Sequence, residues 1–299
     1  MEDDMKKLGV LIVSLMFMAF AGNAYSLQLM WDVGVAGAPA HGDADTLTGI
    51  FNQIGFDSQT TTIQYDTNND NVLSAGDRFI DSGDLRVNNL IAPGIIDTEG
   101  LGQFGGYEVT AIWNDVEGYV TSVSGGGSNT QIGVRYDTGT IDFYLDTALD
   151  SSFANTGGTT PPSGAGGTGF GNGTLLASLS VLDGIGNTFI DFTGNDLANQ
   201  GSVELSLKFT YMLEGFWLNS AGIDLLDLNP IEWHLLTTDM NIDTPNQILG
   251  VPEGALFTAY SNQNGSAEIT VVPEPGTILL LGAGLLGTGI YMRRRNRKA

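Results

Sequence analysis

Short stretches of this chain alternate apolar and polar residues at period two, and each is bounded by a cluster of Gly, Asn, Asp or Ser. They are Thr60–Tyr65, Tyr107–Trp113, Gln131–Tyr136, Thr140–Leu145, Leu175–Leu182, Ser202–Thr210 and Ala267–Val271. Such alternation puts one set of side chains on a buried face and the next in water, which a strand does and a helix does not. The 42 glycines, with Asn, Asp and Ser, supply the positive-φ turns that closely spaced strands need. Strands do not alternate with long helical periods, so a parallel βαβ sheet is excluded. The pattern predicts an all-β fold, an antiparallel β-sandwich of jelly-roll-like type. Ala221–Leu228 and Pro230–Leu236 each fit a short helical turn or a strand. Ser124–Asn129 and Thr156–Gly173 read as loops, the second a low-complexity surface excursion. Too few strands lie on either side of it to close two cores, so residues 27–272 are read as one domain.

The two ends depart from this pattern. Lys6 and Lys7 precede an apolar stretch from Leu8 to Ala21, followed by small residues at Gly22, Ala24 and Ser26. That is the layout of a secretory signal peptide, assigned to residues 1–26. Glu2, Asp3 and Asp4 are unusual ahead of such a segment, and a start at Met5 fits it better. At the other end Pro273-Glu274-Pro275 is followed by an uncharged apolar run, 276–292, and then by Arg293-Arg294-Arg295-Asn296-Arg297-Lys298. As a helix the apolar run is about 25 Å long at about 1.5 Å per residue, enough to cross the hydrocarbon core of a bilayer. The basic cluster behind it would stay on the cytoplasmic side, leaving the body outside. The two prolines cannot continue a helix from upstream and mark an extended segment at the membrane edge.

Val272-Pro273-Glu274-Pro275, the Gly-rich apolar run and the arginine cluster together resemble the PEP-CTERM sorting signal of bacterial surface proteins, over residues 273–299 only. The resemblance implies processing by an exosortase, a membrane-embedded transpeptidase that recognises Pro273, Glu274 and Pro275 and removes the helix. It also implies transient anchoring in the inner membrane and delivery to the cell surface or extracellular matrix. Within that group, the run from Tyr65 to Leu85 is similar to flocculation-associated members, which implies a role in biofilm or floc formation and exopolysaccharide as a partner. A plain C-terminal membrane anchor is the simpler reading of the tail, but it has no need of the Pro-Glu-Pro tripeptide.

Charge narrows the partners. The chain has 11 basic residues against 34 acidic ones, a net charge of −23, and between residues 27 and 272 the only basic side chains are Arg78, Arg86, Arg135 and Lys208. A body this acidic repels nucleic acid and anionic lipid head groups, and attracts divalent cations. Cysteine is absent, so no disulfide supports the exported fold.

One internal motif carries recognisable chemistry. Asp66-Thr67-Asn68-Asn69-Asp70-Asn71-Val72-Leu73-Ser74-Ala75-Gly76-Asp77 spaces its oxygens like an EF-hand or dockerin-type calcium loop. Asp66, Asn68, Asp70 and Asp77 would offer side-chain oxygens and Val72 its backbone carbonyl, holding Ca²⁺ in a structural role. Asn71 stands where the loop prefers Gly, and Asp77 where EF-hands use Glu. Asp and Asn are also what metal-free turns select, so an Asx-rich hairpin turn is the competing reading.

Other signals are weak. Gly282-Ala283-Gly284-Leu285-Leu286-Gly287 spells a dinucleotide fingerprint but lies in the apolar tail with no strand before it. His41, beside Asp43 and Asp45, reads as a metal ligand or a solvated loop residue; His234 beside Trp233 reads as structural. Trp31, Trp113, Trp217 and Trp233 fit a core better than a sugar platform. No nucleophile elbow, zinc-protease motif or phosphate loop is present. Two functions follow from different classes: a non-enzymatic surface or matrix protein, and a secreted carbohydrate-active enzyme bearing the same sorting tail. A pair of carboxylates in a groove would favour the enzyme.

Overall fold

In a computed structural model the chain is described over residues 27–126, 129–153, 167–190, 201–228, 232–242, 246–248 and 254–272. The signal peptide at 1–26, the Pro273-Glu274-Pro275 motif, the apolar segment 276–292 and the basic tail lie outside the described residues. Most of the Thr156–Gly173 excursion lies outside them too. Among the described residues no helix is long and apolar enough to cross a membrane.

The strands are β1 (Leu29–Trp31), β2 (Gln53–Tyr65), β3 (Arg78–Ile91), β4 (Glu108–Gly126), β5 (Asn129–Thr138), β6 (Thr140–Asp146), β7 (Thr174–Ile190), β8 (Gly201–Met212), β9 (Trp217–Asn219), β10 (Glu232–Ile242), β11 (Asn246–Ile248) and β12 (Ala255–Val272). All the paired strands are antiparallel, as the sequence pattern requires. Every stretch read as a strand from the alternation lies within one of these, apart from Tyr107, which precedes β4. Of the two ambiguous stretches, Ala221–Leu228 holds a 3₁₀ turn at Leu225–Asp227, and the second enters β10.

The connections differ from those of a jelly roll. A ten-stranded sheet runs in the order β10-β8-β7-β5-β4-β3-β2-β12-β11, and β10 also pairs with β12. The sheet therefore closes on itself. β5 and β6 are successive lengths of one wall position between β4 and β7, joined at Gly139, where φ is +137°. β10 and β11 likewise follow one another along β12. Each wall position neighbours the next in sequence, and β12 returns to β2, so the two faces expected of a sandwich are one continuous up-and-down wall. Closure gives β10 and β12 each other as partners, where an open sandwich would leave two edges. Each wall strand passes to its neighbour in the ring, by links as tight as the one at Gly139 or as long as that from Asp146 to Thr174, and the Greek-key crossings of a jelly roll are not used.

β3 was not visible as a strand because its middle, Asp81-Ser82-Gly83-Asp84, is polar and carries a glycine. The register slips there, between Asp81 and Gly83, against β4. The glycine is required: a Cβ at Gly83 would sit 2.3 Å from the Trp113 ring and 2.3 Å from the Gln59 carbonyl.

One apolar core fills most of the interior. At the end where β2 begins and β12 finishes, β1 pairs with β9, setting Trp31 against Trp217. Trp31 is fully buried, with ring centroids 5.1 Å from Phe51, 5.5 Å from Phe216 and 5.7 Å from Trp217. The Phe51 and Trp217 contacts are edge-to-face, a geometry that adds about 0.5–1.5 kcal/mol per pair beyond area burial, and Phe216 lies tilted against the same ring. The expectation that Trp31, Trp113 and Trp217 serve the core is met, since all three are buried. His234 and Trp233 lie in β10, whose side chains are outside the described set.

Candidate functional site

The lumen changes character along its length. Near the aromatic plug it is lined by Leu145, Leu176, Leu179, Leu207 and Ile269, all buried. Farther along, β2 contributes Ser58, Thr60 and Gln64, β3 contributes Asp81, and β12 contributes Ser261 and Gln263, again all buried. Two adjoining cavities lie here, of about 40 Å³ and about 80 Å³, sharing Asp81, Tyr136, Val203 and Gln263 in their walls. Spaces of this size hold a few waters rather than a sugar ring.

Asp81 is the chemical centre of that half. The Tyr136 hydroxyl donates to its Oδ2 at 3.0 Å, while Oδ1 has no partner. Burial pushes its pKa up to about 6, against hydrogen bonds from Thr62 and Tyr136 that pull it down. Burial and the Asp81 charge also hold the Tyr136 hydroxyl far above its usual value. Thr60 Oγ1 and Gln263 Oε1 are buried without partners as well. Among the described residues lining the two cavities, Asp81 is the only carboxylate. Glycoside hydrolysis ordinarily uses a pair of carboxylates, and the described lining of these cavities supplies one.

The Asp66–Asp77 loop joins β2 to β3 at the end opposite the plug, and its oxygens are occupied by its own backbone. Asp66 accepts from the amides of Asp70 at 3.2 Å and Asn71 at 2.7 Å, and Asp70 accepts from Val72 at 2.8 Å. Asn68 Oδ1 accepts from the Asp70 amide at 3.0 Å. Asp77, buried, accepts from Thr67 at 3.0 Å and Ser74 at 2.7 Å. Asn69 and Asn71 both take φ of 59°, the left-handed conformation that Asn tolerates well. The Val72 side chain points to solvent at 60 % exposure. The loop therefore brings its predicted ligands into one turn, but as a set of Asx caps.

Elsewhere the fold assembles carboxylates that sequence spacing could not. Asp43, Asp45 and Glu99 place one oxygen each within 4.8 Å of one another, as do Glu108, Asp146 and Asp150. In the second group Glu108 is satisfied by the Ser151 amide and hydroxyl. In the first, Glu99 is buried, accepts the His41 amide at 2.8 Å, and leaves Oε1 without a partner. Burial chiefly raises its pKa, the His41 amide lowers it, and the Asp97 and Asp43 charges raise it further. The only local signal for Glu99 is its φ of 50°, unusual for a non-glycine residue.

The described arginines are committed to the wall. Arg78 pairs with Asp137 at 2.8 Å and Glu117 at 3.1 Å, and Arg135 with Asp183 at 3.0 Å. Arg86 lies over the Phe153 ring at 5.3 Å and donates to the Ser151 carbonyl.

Residues 271–295 match the PEP-CTERM protein-sorting motif. The match begins on the last residues of β12, so the motif follows the barrel wall without an intervening linker. A chain carrying this motif is an exported protein sorted by exosortase. No curated protein and no solved structure matches the chain at a significant level.

Proposed function

We propose that this chain is a non-enzymatic surface or matrix protein that contributes to biofilm or floc cohesion after exosortase sorting. The observation that carries the reading is the sorting motif at residues 271–295, continuous with β12 of a closed barrel. Closing the wall through β10 and β12 removes the two long edges an open sheet would offer for aggregation, and the barrel presents an acidic outer surface. With its arginines paired in the wall, that surface meets acidic exopolysaccharide through bridging divalent cations rather than directly. Calcium in the Asp66–Asp77 loop belongs to the same proposal, replacing the backbone amides that now cap Asp66 and Asp70.

The enzyme alternative draws on Glu108, Asp146 and Asp150 on the outer wall, but Ser151 already engages both Glu108 oxygens. Deletion of the gene, complemented by the full chain and by a chain with Pro273-Glu274-Pro275 replaced by Ala, tests the proposal. Aggregation and attachment are expected to fall in the deletion strain and return only with the full chain. Unchanged aggregation in the deletion strain overturns the matrix role.

A further inference from the structure

Glu99 sits on the long link between β3 and β4, and Asp43 and Asp45 sit on the segment between the 3₁₀ turn at Val33–Ala36 and β2. Both links lie at the plugged end of the barrel. The exposed pair, Asp43 and Asp45, each spend Oδ1 on one backbone amide, of Asp45 and of Leu47, at 3.0 Å. Glu99 is different. It is 0 % exposed, its Oε1 makes no hydrogen bond to a donor, and the Asp97 carboxylate beside it adds further negative charge. A buried carboxylate oxygen left without a partner is destabilising unless a cation or a proton meets it.

We propose that Asp43, Asp45 and Glu99 form a divalent-cation site, filled by Ca²⁺, that is distinct from the Asp66–Asp77 loop. The separation fits the ion. Oxygens bound to Ca²⁺ at about 2.3–2.6 Å can lie up to about 5 Å apart across it, and the three carboxylates fall within 4.8 Å of one another. Oxygen-only donors select a hard cation over zinc or copper. Two ligands are exposed, so water can complete the six to eight oxygens that Ca²⁺ takes and Mg²⁺ accepts less readily.

Of the two readings of His41, metal ligand and loop residue, the proposed site uses the second, since the carboxylate group forms without its ring. Its amide holds Glu99 Oε2, and its ring packs against Gly100, where a Cβ would lie 2.7 Å from it. The residue instead fixes the buried carboxylate in place. With the ion bound, the segment bearing Asp43 and Asp45 is clamped to the β3–β4 link at the plugged end of the barrel.

This site stands apart from the proposed matrix role, since titration of the purified protein does not depend on aggregation. The full chain, purified in mild detergent and stripped with EDTA, is titrated with CaCl₂ by calorimetry and followed by thermal unfolding. A dissociation constant of about 10⁻⁴ to 10⁻³ M is expected, with a melting rise of about 5–10 °C at a hundredfold excess. Asp43→Asn, Asp45→Asn and Glu99→Gln should each weaken binding at least about tenfold, and Asp66→Asn should leave this site's binding intact. The first two change exposed residues, so the test survives even if Glu99→Gln fails to fold. The proposal is overturned by an absent heat and melting shift in the wild type. It is equally overturned by a Ca²⁺ response that persists in Asp43→Asn and Asp45→Asn and vanishes in Asp66→Asn.

Discussion

At the end of the barrel where β12 finishes, Trp31, Phe51, Phe216 and Trp217 fill the mouth and the wall behind them is aliphatic. At the other end the same strands turn Gln64, Asp81, Ser261 and Gln263 inward around small cavities. One end is held by area: each large side chain buried there is worth about 1.5–3 kcal/mol. The other is held by closure of the sheet and leaves Thr60 Oγ1, Asp81 Oδ1 and Gln263 Oε1 unmatched within its lumen, where the plug leaves only Trp31 Nε1 among its rings, and each such group costs stability. The difference teaches that the barrel does not need a dry, apolar interior throughout, provided that its ladder is complete and one end is densely packed. It also places the end of β12, Val272, at the densely packed end.

The largest expected effect tests that asymmetry directly. Trp31→Ala removes the residue common to three ring contacts and leaves a cavity in the plug, so it should cost about 3–5 kcal/mol, read as a lower urea midpoint at unchanged m. A loss below about 1 kcal/mol would mean that the plug is dispensable and the closed ladder carries the fold alone.

At the polar end the sensitive probe is pH. Asp81 is raised from 3.8 to about 6 in the folded state. Its contribution is thus complete below the unfolded value and lost as pH rises through about 6, because the buried carboxylate must then ionise or hold its proton at a cost. At about 1.4 kcal/mol per pH unit the full difference is about 3 kcal/mol. Asp81→Asn keeps an acceptor for the Tyr136 hydroxyl and cannot ionise. Relative to wild type it should gain up to about 3 kcal/mol between pH 4 and pH 8, other titrations cancelling in the comparison. A constant difference across that range would show that Asp81 is solvated through the cavities.

The two ends also differ in how far the sequence discloses them. Strands such as Thr140–Leu145 and Ser202–Thr210 declare themselves by alternation, because one face is apolar. β3 does not, since Asp81 points into the lumen and Gly83 makes room for Trp113, so its inward side chains break the period on which the reading depends. Closure of the ring is invisible in the same way: pairing β12 with β2 and β10 is a property of twist and register rather than of any one segment. The sorting motif is fully legible because its recognition is linear. The Asp66–Asp77 spacing was legible too, and the structure shows it used for turn capping. Glu99 was not, since only folding carries it to Asp43 and Asp45 from the far side of β2 and β3.

Within the Asp66–Asp77 loop, burial decides between two carboxylates that make similar bonds. Asp66 and Asp77 each accept two backbone amides, at 3.2 and 2.7 Å and at 3.0 and 2.7 Å. Asp77 is only 1 % exposed, whereas the amides that Asp66 caps belong to the exposed residues Asp70 and Asn71. Water can replace Asp66 but not Asp77. With EDTA present to remove any cation, Asp77→Ala should therefore cost about 2 kcal/mol and Asp66→Ala less than about 1 kcal/mol, measured by thermal unfolding. If adding Ca²⁺ widens the Asp66→Ala deficit beyond that of Asp77→Ala, the loop binds the ion and its exposed rim supplies the ligands. If the two deficits are unchanged by Ca²⁺, the loop is a capped turn, and its stability comes from the one carboxylate that the barrel rim shields from solvent.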